Sequence, residues 1–129
     1  MKLLFTILML GTVLFASKAD FLHDYKEALV QAQKQDKDIY MLITSESCQW
    51  CRKFEKITLN DKVTMDLLKE KFVLLALTRD VDYIPEQYKA QRVPKHFFLT
   101  ASGDNIYAFL GYWNPEDFRS FVAEVEKKK

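Results

Sequence analysis

The segment that most limits what this chain can become is TSESCQWCRKF, residues 44–54, which holds both of its cysteines, Cys48 and Cys51. It follows IYMLIT, residues 39–44, a short apolar run of strand formers suited to burial on both faces. From Cys48 to about Thr58 the pattern turns helical. A Cys-x-x-Cys pair at such a junction is a metal clip, a structural staple or a redox couple.

The staple reading is weak on loop entropy. Bridging residues three apart closes a very small loop and stabilises little, and one pair is too few for a disulfide-built scaffold. Structural zinc takes four ligands, and the only histidines are His23, on a proposed helix, and His96, in a strand just after Pro94. Both positions suit ordinary helix and strand residues. A two-thiolate copper(I) site meets the requirement for soft ligands and stays open as the non-enzymatic alternative, a copper(I) or thiol-binding module.

The redox reading uses the location itself. Unpaired amides and the positive dipole end of a helix favour a thiolate over a thiol, which makes Cys48 the nucleophile. Cys51, one turn further on and deeper, is then the resolving thiol. Within an α/β pattern this placement is a strong redox signal.

The first residues, MKLLFTILMLGTVLFASKAD, run from Lys2 through an apolar stretch, Leu3 to Ala16, to the small-residue pattern Ser17-Lys18-Ala19. This predicts a secretory signal peptide over residues 1–19, cleaved before Asp20. A membrane span needs about 20 apolar residues, and this run is shorter and interrupted by Gly11 and Thr12. The expectation is a soluble mature domain, residues 20–129, in the periplasm or otherwise secreted, with no stable membrane insertion. An oxidising compartment of that kind lets the two cysteines pair. Losing Lys2 and Lys18 takes the formal charge from +1 to −1, which leaves no electrostatic footprint for nucleic acid or acidic lipid.

No repeat or Pro/Gly-rich linker divides residues 20–129, and a hydrophobic fraction of 49% suffices for one core. DFLHDYKEALVQAQKQDK, residues 20–37, places Phe21, Tyr25, Ala28, Leu29 and Ala32 at helical spacing behind an Asp20 cap. After the cysteine helix, NDKVTMDLLKEKF predicts more helix with Val63, Leu67, Leu68 and Phe72 inward. FVLLALT, residues 72–78, predicts a second buried strand, and PEQYKAQ a short helix with Pro85 in its first turn. RVPKHFFLT supplies a third strand, ASGD turns it back into NIYAFLG as a hairpin, and Asn114 caps a last helix burying Phe118, Phe121, Val122 and Val125. The order predicts an α/β fold with a four-stranded mixed sheet and helices on both faces.

Three features together resemble the thioredoxin superfamily: CQWC after IYMLIT, VP directly before KHFFLT, and SGDNIYAFLGY followed by a terminal helix. The resemblance runs from about Tyr25 to Val125. It implies a thioredoxin-like fold, a cis bond between Val93 and Pro94, and backbone groups at Val93 that receive a bound peptide. It implies that Gly111 and Tyr112 flank the site. Trp50 either covers the pair and presents an apolar face to substrates or is an ordinary packing residue. The resemblance also implies disulfide exchange with no cofactor beyond the Cys48–Cys51 pair, protein disulfides or dithiols as substrates, and an upstream redox partner protein. The helix leading directly into the active-site strand is most similar to small exported reductases of the SoxW and DsbD C-terminal-domain kind.

Departures from the family pattern also carry information. Leu42 stands where many members place a buried Asp six residues before the first cysteine, and LLALT lacks the matching Lys. Glu46 or water is left as the base for Cys51. Lys95 follows Pro94 where Thr is common, as a solvated strand-edge residue, a modulator of the Cys48 thiolate or a guide for acidic partners. Trp113 is a rim contact or a helix-packing residue. Residues 20–129 leave no room for the inserted helical domain of the oxidase DsbA or the dimerisation domain of the isomerase DsbC. Gln49 and Trp50 also lack the histidine of the DsbA-type centre. These points favour a monomeric reductase, with a dithiol oxidase as the alternative.

Overall fold

The structure, a computed structural model, describes residues 20–129. The predicted signal segment, residues 1–19, lies outside the described residues.

One mixed sheet organises the fold. Its central strand is β2 (Asp38–Thr44), in which every residue after Asp38 is buried, as its apolar run demands. Along one edge β2 pairs in parallel with β3 (Phe72–Thr78), from Asp38 opposite Phe72 to Thr44 opposite Thr78. Along the other it pairs antiparallel with β4 (Lys95–Leu99), which returns through a tight turn into antiparallel β5 (Asn105–Leu110).

The sheet has five strands, which corrects the four-stranded expectation. Phe21–Leu22 forms β1, parallel to β3 with Phe21 opposite Leu74, so the order is β1-β3-β2-β4-β5. The helix read from Asp20 therefore starts later, as α1 (Tyr25–Gln35), and its cap is Asp24, whose carboxylate accepts the Glu27 amide at 2.9 Å. The open edge of β3 supplies the backbone partners that outweigh another turn of helix. Extended, Phe21 also reaches the core, its ring 6.5 Å from that of Tyr40.

Alternation along β2 divides the core in two. Ile39, Met41 and Ile43 face α1 and a 3-10 turn, Glu86–Tyr88, together with Phe97 and Leu99 of β4. Tyr40 and Leu42 face α2 (Gln49–Ile57), α3 (Lys62–Lys71) and α4 (Pro115–Lys127), through Phe54, Leu68, Phe118 and Val122. The helix predicted from PEQYKAQ is only that 3-10 turn, with Pro85 just before it.

The phase of α3 also differs from expectation. Asp61 caps it by accepting the Thr64 amide at 3.0 Å, which turns Thr64, Met65 and Leu68 inward and leaves Val63 62% exposed. The Asp61 carboxylate also receives Arg119 of α4 at 2.9 Å, while Thr58 donates to the Trp113 carbonyl at 2.6 Å. These bonds tie the α2–α3 corner to α4. Phe121 of α4 is half-buried against Phe109 and Trp113, outside the fully buried stripe of Phe118, Val122 and Val125.

Candidate redox site

At the end of β2 the chain turns sharply, and Cys48 becomes the N-cap of α2 in extended backbone geometry, φ −99° and ψ 103°. Caps normally use a side-chain oxygen. Here the Cys48 sulfur accepts the backbone N–H of Cys51 at 3.1 Å, and the Arg52 guanidinium bonds the Ser45 carbonyl at 3.0 Å, pinning the loop to the helix. Cys48 and Cys51 are joined as a disulfide with their Cα atoms 5.2 Å apart. Cys48 is half-buried, whereas Cys51 is fully buried one turn along the helix.

A second loop closes on the pair. The Val93–Pro94 peptide bond is cis, as the resemblance implied, and the Val93 carbonyl oxygen lies 3.7 Å from the Cys48 sulfur. In the disulfide this is a contact; it becomes a hydrogen bond only when Cys48 carries a proton. The Pro94 carbonyl accepts the Gly111 amide at 2.8 Å. Gly111 has φ +102°, a conformation suited to glycine, so the loop after β5 can bring its backbone against Pro94.

Behind this loop lies a polar chain inside an aromatic core. The Gly111 carbonyl faces His96 Nε2 at 2.8 Å, and the Tyr40 hydroxyl faces His96 Nδ1 at 2.7 Å. A carbonyl only accepts, so Nε2 carries the hydrogen and Nδ1 accepts from Tyr40. Phe54 meets the imidazole edge-on at 4.7 Å between ring centres, and Phe109 stacks on it at 4.6 Å. Burial holds the His96 pKa down at about 4 against the bond to Gly111, which works the other way, with the Lys95 charge adding to the depression. Burial likewise raises the Tyr40 phenol well above its ordinary range.

Beside the disulfide, Trp50, Val93, Pro94, Leu110, Gly111 and Tyr112 line a shallow groove of about 520 Å³, with Arg92 at its rim. Trp50 is 51% exposed and tilts over Tyr112 at 6.2 Å, with the Lys53 ammonium 5.2 Å from the one ring and 4.7 Å from the other. Trp113 donates to the Leu110 carbonyl at 3.0 Å and meets Phe121 edge-on, so it packs the helix side of the loop.

A family model for the thioredoxin-like domain matches residues 25–126. The chain belongs to the thioredoxin-like family. Anterior gradient protein 3 of Xenopus tropicalis is 28% identical over 113 residues, which span 80% of this chain and 67% of that protein. A putative disulphide-isomerase from Bacteroides thetaiotaomicron shares the fold with a TM-score of 0.74 at 20% identity, covering 84% of this chain and 93% of the other. The oxidised C-terminal domain of DsbD from Neisseria meningitidis does so with a TM-score of 0.66 at 18% identity, covering 81% and 97%.

In this thioredoxin-like domain the departures read from the sequence have a definite setting. Leu42 is buried and, with Ala76, Phe21 and Leu59, walls an apolar cavity of about 480 Å³ whose mouth carries His23, Arg52, Glu55 and Lys56. No acid is buried there. Glu46 is exposed in the loop and makes no hydrogen bond or ion pair with the described residues. Lys95 points to the face of β4 opposite His96, its ammonium 5.5 Å from the centre of the Phe97 ring. His23 bonds the Ala76 carbonyl at 3.0 Å. Among the described residues no three His, Cys, Asp or Glu side chains cluster as a metal site.

The Tyr40–His96 pair was not anticipated as part of the site. Its signal in the sequence is faint: two hydrogen-bonding side chains in strands whose interiors are otherwise apolar, at positions 56 residues apart.

Proposed function

We propose that this thioredoxin-like thiol:disulfide oxidoreductase is exported and reduces disulfides in partner proteins. The observation that carries the reading is the division of roles at the head of α2: a half-exposed Cys48 sulfur caps the helix, and a fully buried Cys51 waits behind it.

In the reduced protein the Cys48 thiolate attacks one sulfur of a partner disulfide. A Cys48–partner bond forms, and the partner's other sulfur leaves as a thiolate. With Leu42 and Ala76 lining the wall where an acid would sit, the leaving thiolate takes the Cys51 proton, directly or through water. The Cys51 thiolate then attacks the Cys48 sulfur, the mixed disulfide breaks, and the second partner sulfur leaves and is protonated from solvent. Two electrons pass to the partner, and the Cys48–Cys51 disulfide remains. A dithiol donor protein returns the pair to the reduced state. Backbone groups at Val93 and the apolar groove with Trp50 receive the partner's chain.

The direction rests on modest thiolate stabilisation. Cys48 has a helix N-terminus and the Cys51 amide, but no histidine within CQWC, and the Lys95 ammonium lies against the Phe97 ring. A less stabilised thiolate gives a less oxidising couple, so the reduction potential falls nearer about −270 mV than about −120 mV. Equilibrating residues 20–129 with glutathione buffers measures it. A value above about −150 mV overturns the reductase reading in favour of the dithiol oxidase.

Export rests on the signal pattern of residues 1–19. Among the described residues no helix is long and apolar enough to cross a membrane.

A further inference from the structure

We propose that His96 is a positioning residue for the redox site: through Gly111 it holds the Val93–Pro94 loop against Cys48 in the geometry that receives substrate. This rests on the reading of the Cys48–Cys51 pair as a site that reduces bound disulfides. The bonds form one continuous path. Tyr40 donates to His96 Nδ1 at 2.7 Å, His96 Nε2 donates to the Gly111 carbonyl at 2.8 Å, and the Gly111 amide donates to the Pro94 carbonyl at 2.8 Å. Beyond Pro94, the Val93 carbonyl lies 3.7 Å from the Cys48 sulfur.

Three observations separate this path from ordinary core packing. His96 is a polar side chain with no exposed surface, set among Phe54, Phe109 and Phe118, a setting that penalises a polar group unless its hydrogen bonds are made. Both ring nitrogens are used, and the second bond goes to a loop instead of to the sheet. On the side where a Cβ would stand, Gly111 meets no atom within 4 Å, so no packing holds it there. Its two hydrogen bonds, one to Pro94 and one from His96, fix its amide and its carbonyl.

Tyr40 completes the device. By donating to Nδ1 it favours the tautomer with hydrogen on Nε2, the one that can donate to a carbonyl. Phe54 links the same imidazole to α2, three residues after Cys51, so one ring buttresses both the cysteine helix and the loop opposite it. His96 touches no reacting atom. Its effect belongs in substrate capture more than in the exchange step.

The test uses two side chains of different reach. In His96→Gln the amide extends to the Nε2 position and can still donate to Gly111; in His96→Asn it ends near Nδ1 and keeps only the Tyr40 bond. With insulin as the probe disulfide and dithiothreitol regenerating the dithiol, the Asn variant is expected to raise KM about tenfold while kcat stays within about twofold. The Gln variant should return KM to within about threefold of wild type. In oxidised protein, hydrogen exchange at the Gly111 amide should quicken at least about tenfold in the Asn variant and little in the Gln variant.

Equal KM values for the two variants, or a Gly111 amide in His96→Asn as protected as in wild type, overturn the proposal. If wild type itself does not reduce insulin, the functional reading fails, and Gly111 exchange alone decides whether His96 positions the loop. Should His96→Asn not fold, His96→Leu takes its place. If neither folds, wild type decides: the Nε2 proton of His96 must be present in its ¹⁵N spectrum. That resonance must also shift when Cys48 of a Cys51→Ser protein forms a mixed disulfide with a peptide, and an absent or unmoved one counts against the proposal.

Discussion

The backbone amide of Cys51 donates to the sulfur of Cys48 across 3.1 Å, so the first cysteine is the cap of the helix that carries the second. On reduction that amide and the helix dipole act on the Cys48 sulfur, while Cys51 has no exposed surface. Limiting iodoacetamide near neutral pH is therefore expected to label Cys48 at least about tenfold over Cys51, a margin equal to about 1.4 kcal/mol in barrier. Peptide mapping of the label decides it, and predominant modification of Cys51 would reverse the two roles. In a Cys51→Ser protein, labelling of Cys48 should persist, since its exposure does not depend on the second thiol.

Cys48 and Cys51 were legible because their chemistry is local: a strand, a pair three apart and a helix announce themselves within twenty residues. The Val93–Pro94 loop was legible only by resemblance, since nothing near it in the chain says that it meets a cysteine 45 residues away. β1 was hidden for a physical reason. Phe21 continues the helical series of Tyr25, Ala28 and Ala32, and choosing Asp24 over Asp20 as the cap depends on the open edge of β3, a tertiary fact. Val63 stands outside the core for a similar reason, because the Asp61 cap sets the phase of α3 and its bond to Arg119 spans 58 residues. The path from Tyr40 through His96 to Gly111 was invisible in either strand alone, each half reading as an ordinary sheet residue.

Two glycines have similar backbone angles and opposite surroundings, which makes their alanine variants a paired test. Gly103 has φ +91°, and a Cβ built there would lie 2.5 Å from the Tyr25 hydroxyl and 3.3 Å from a Leu29 methyl. Its carbonyl also accepts the Tyr88 hydroxyl at 2.5 Å, so any shift of the turn disturbs a buried bond. Gly111 has φ +102° with open space around it. Backbone strain alone costs about 1–3 kcal/mol at either site. Gly103→Ala adds a steric conflict and should lose more stability than Gly111→Ala by about 1 kcal/mol or more, within the range typical of overpacking. Urea denaturation of the two proteins measures the difference, and equal or inverted losses would show that Tyr25 yields freely.

His96 also gives the fold a specific sensitivity to acid. Its pKa falls from an ordinary 6.5 to about 4, through burial first, against the opposing bond to Gly111, with the Lys95 charge reinforcing the fall. The rings packed on it, Phe54, Phe109 and Phe118, carry no charge, and Tyr40, the titratable group bonded to it, stays protonated throughout this range. Between pH 6.5 and 4 the unfolded chain therefore binds a proton at this residue that the folded chain does not. The resulting stability is fully present above pH 6.5, declines as the pH falls towards 4, and changes no further below that. The full effect is on the order of 3 kcal/mol, and roughly 2 kcal/mol of it is lost by pH 4.5. Carboxylates titrate over the same interval in wild type and in His96→Gln, so their contribution cancels in the comparison. Denaturant unfolding at pH 7.5 and 4.5 should show wild type losing about 2 kcal/mol more than His96→Gln between the two. Parallel losses would mean that His96 takes up its proton equally well in the folded protein, and that the bonded, buried imidazole does not describe the domain in solution.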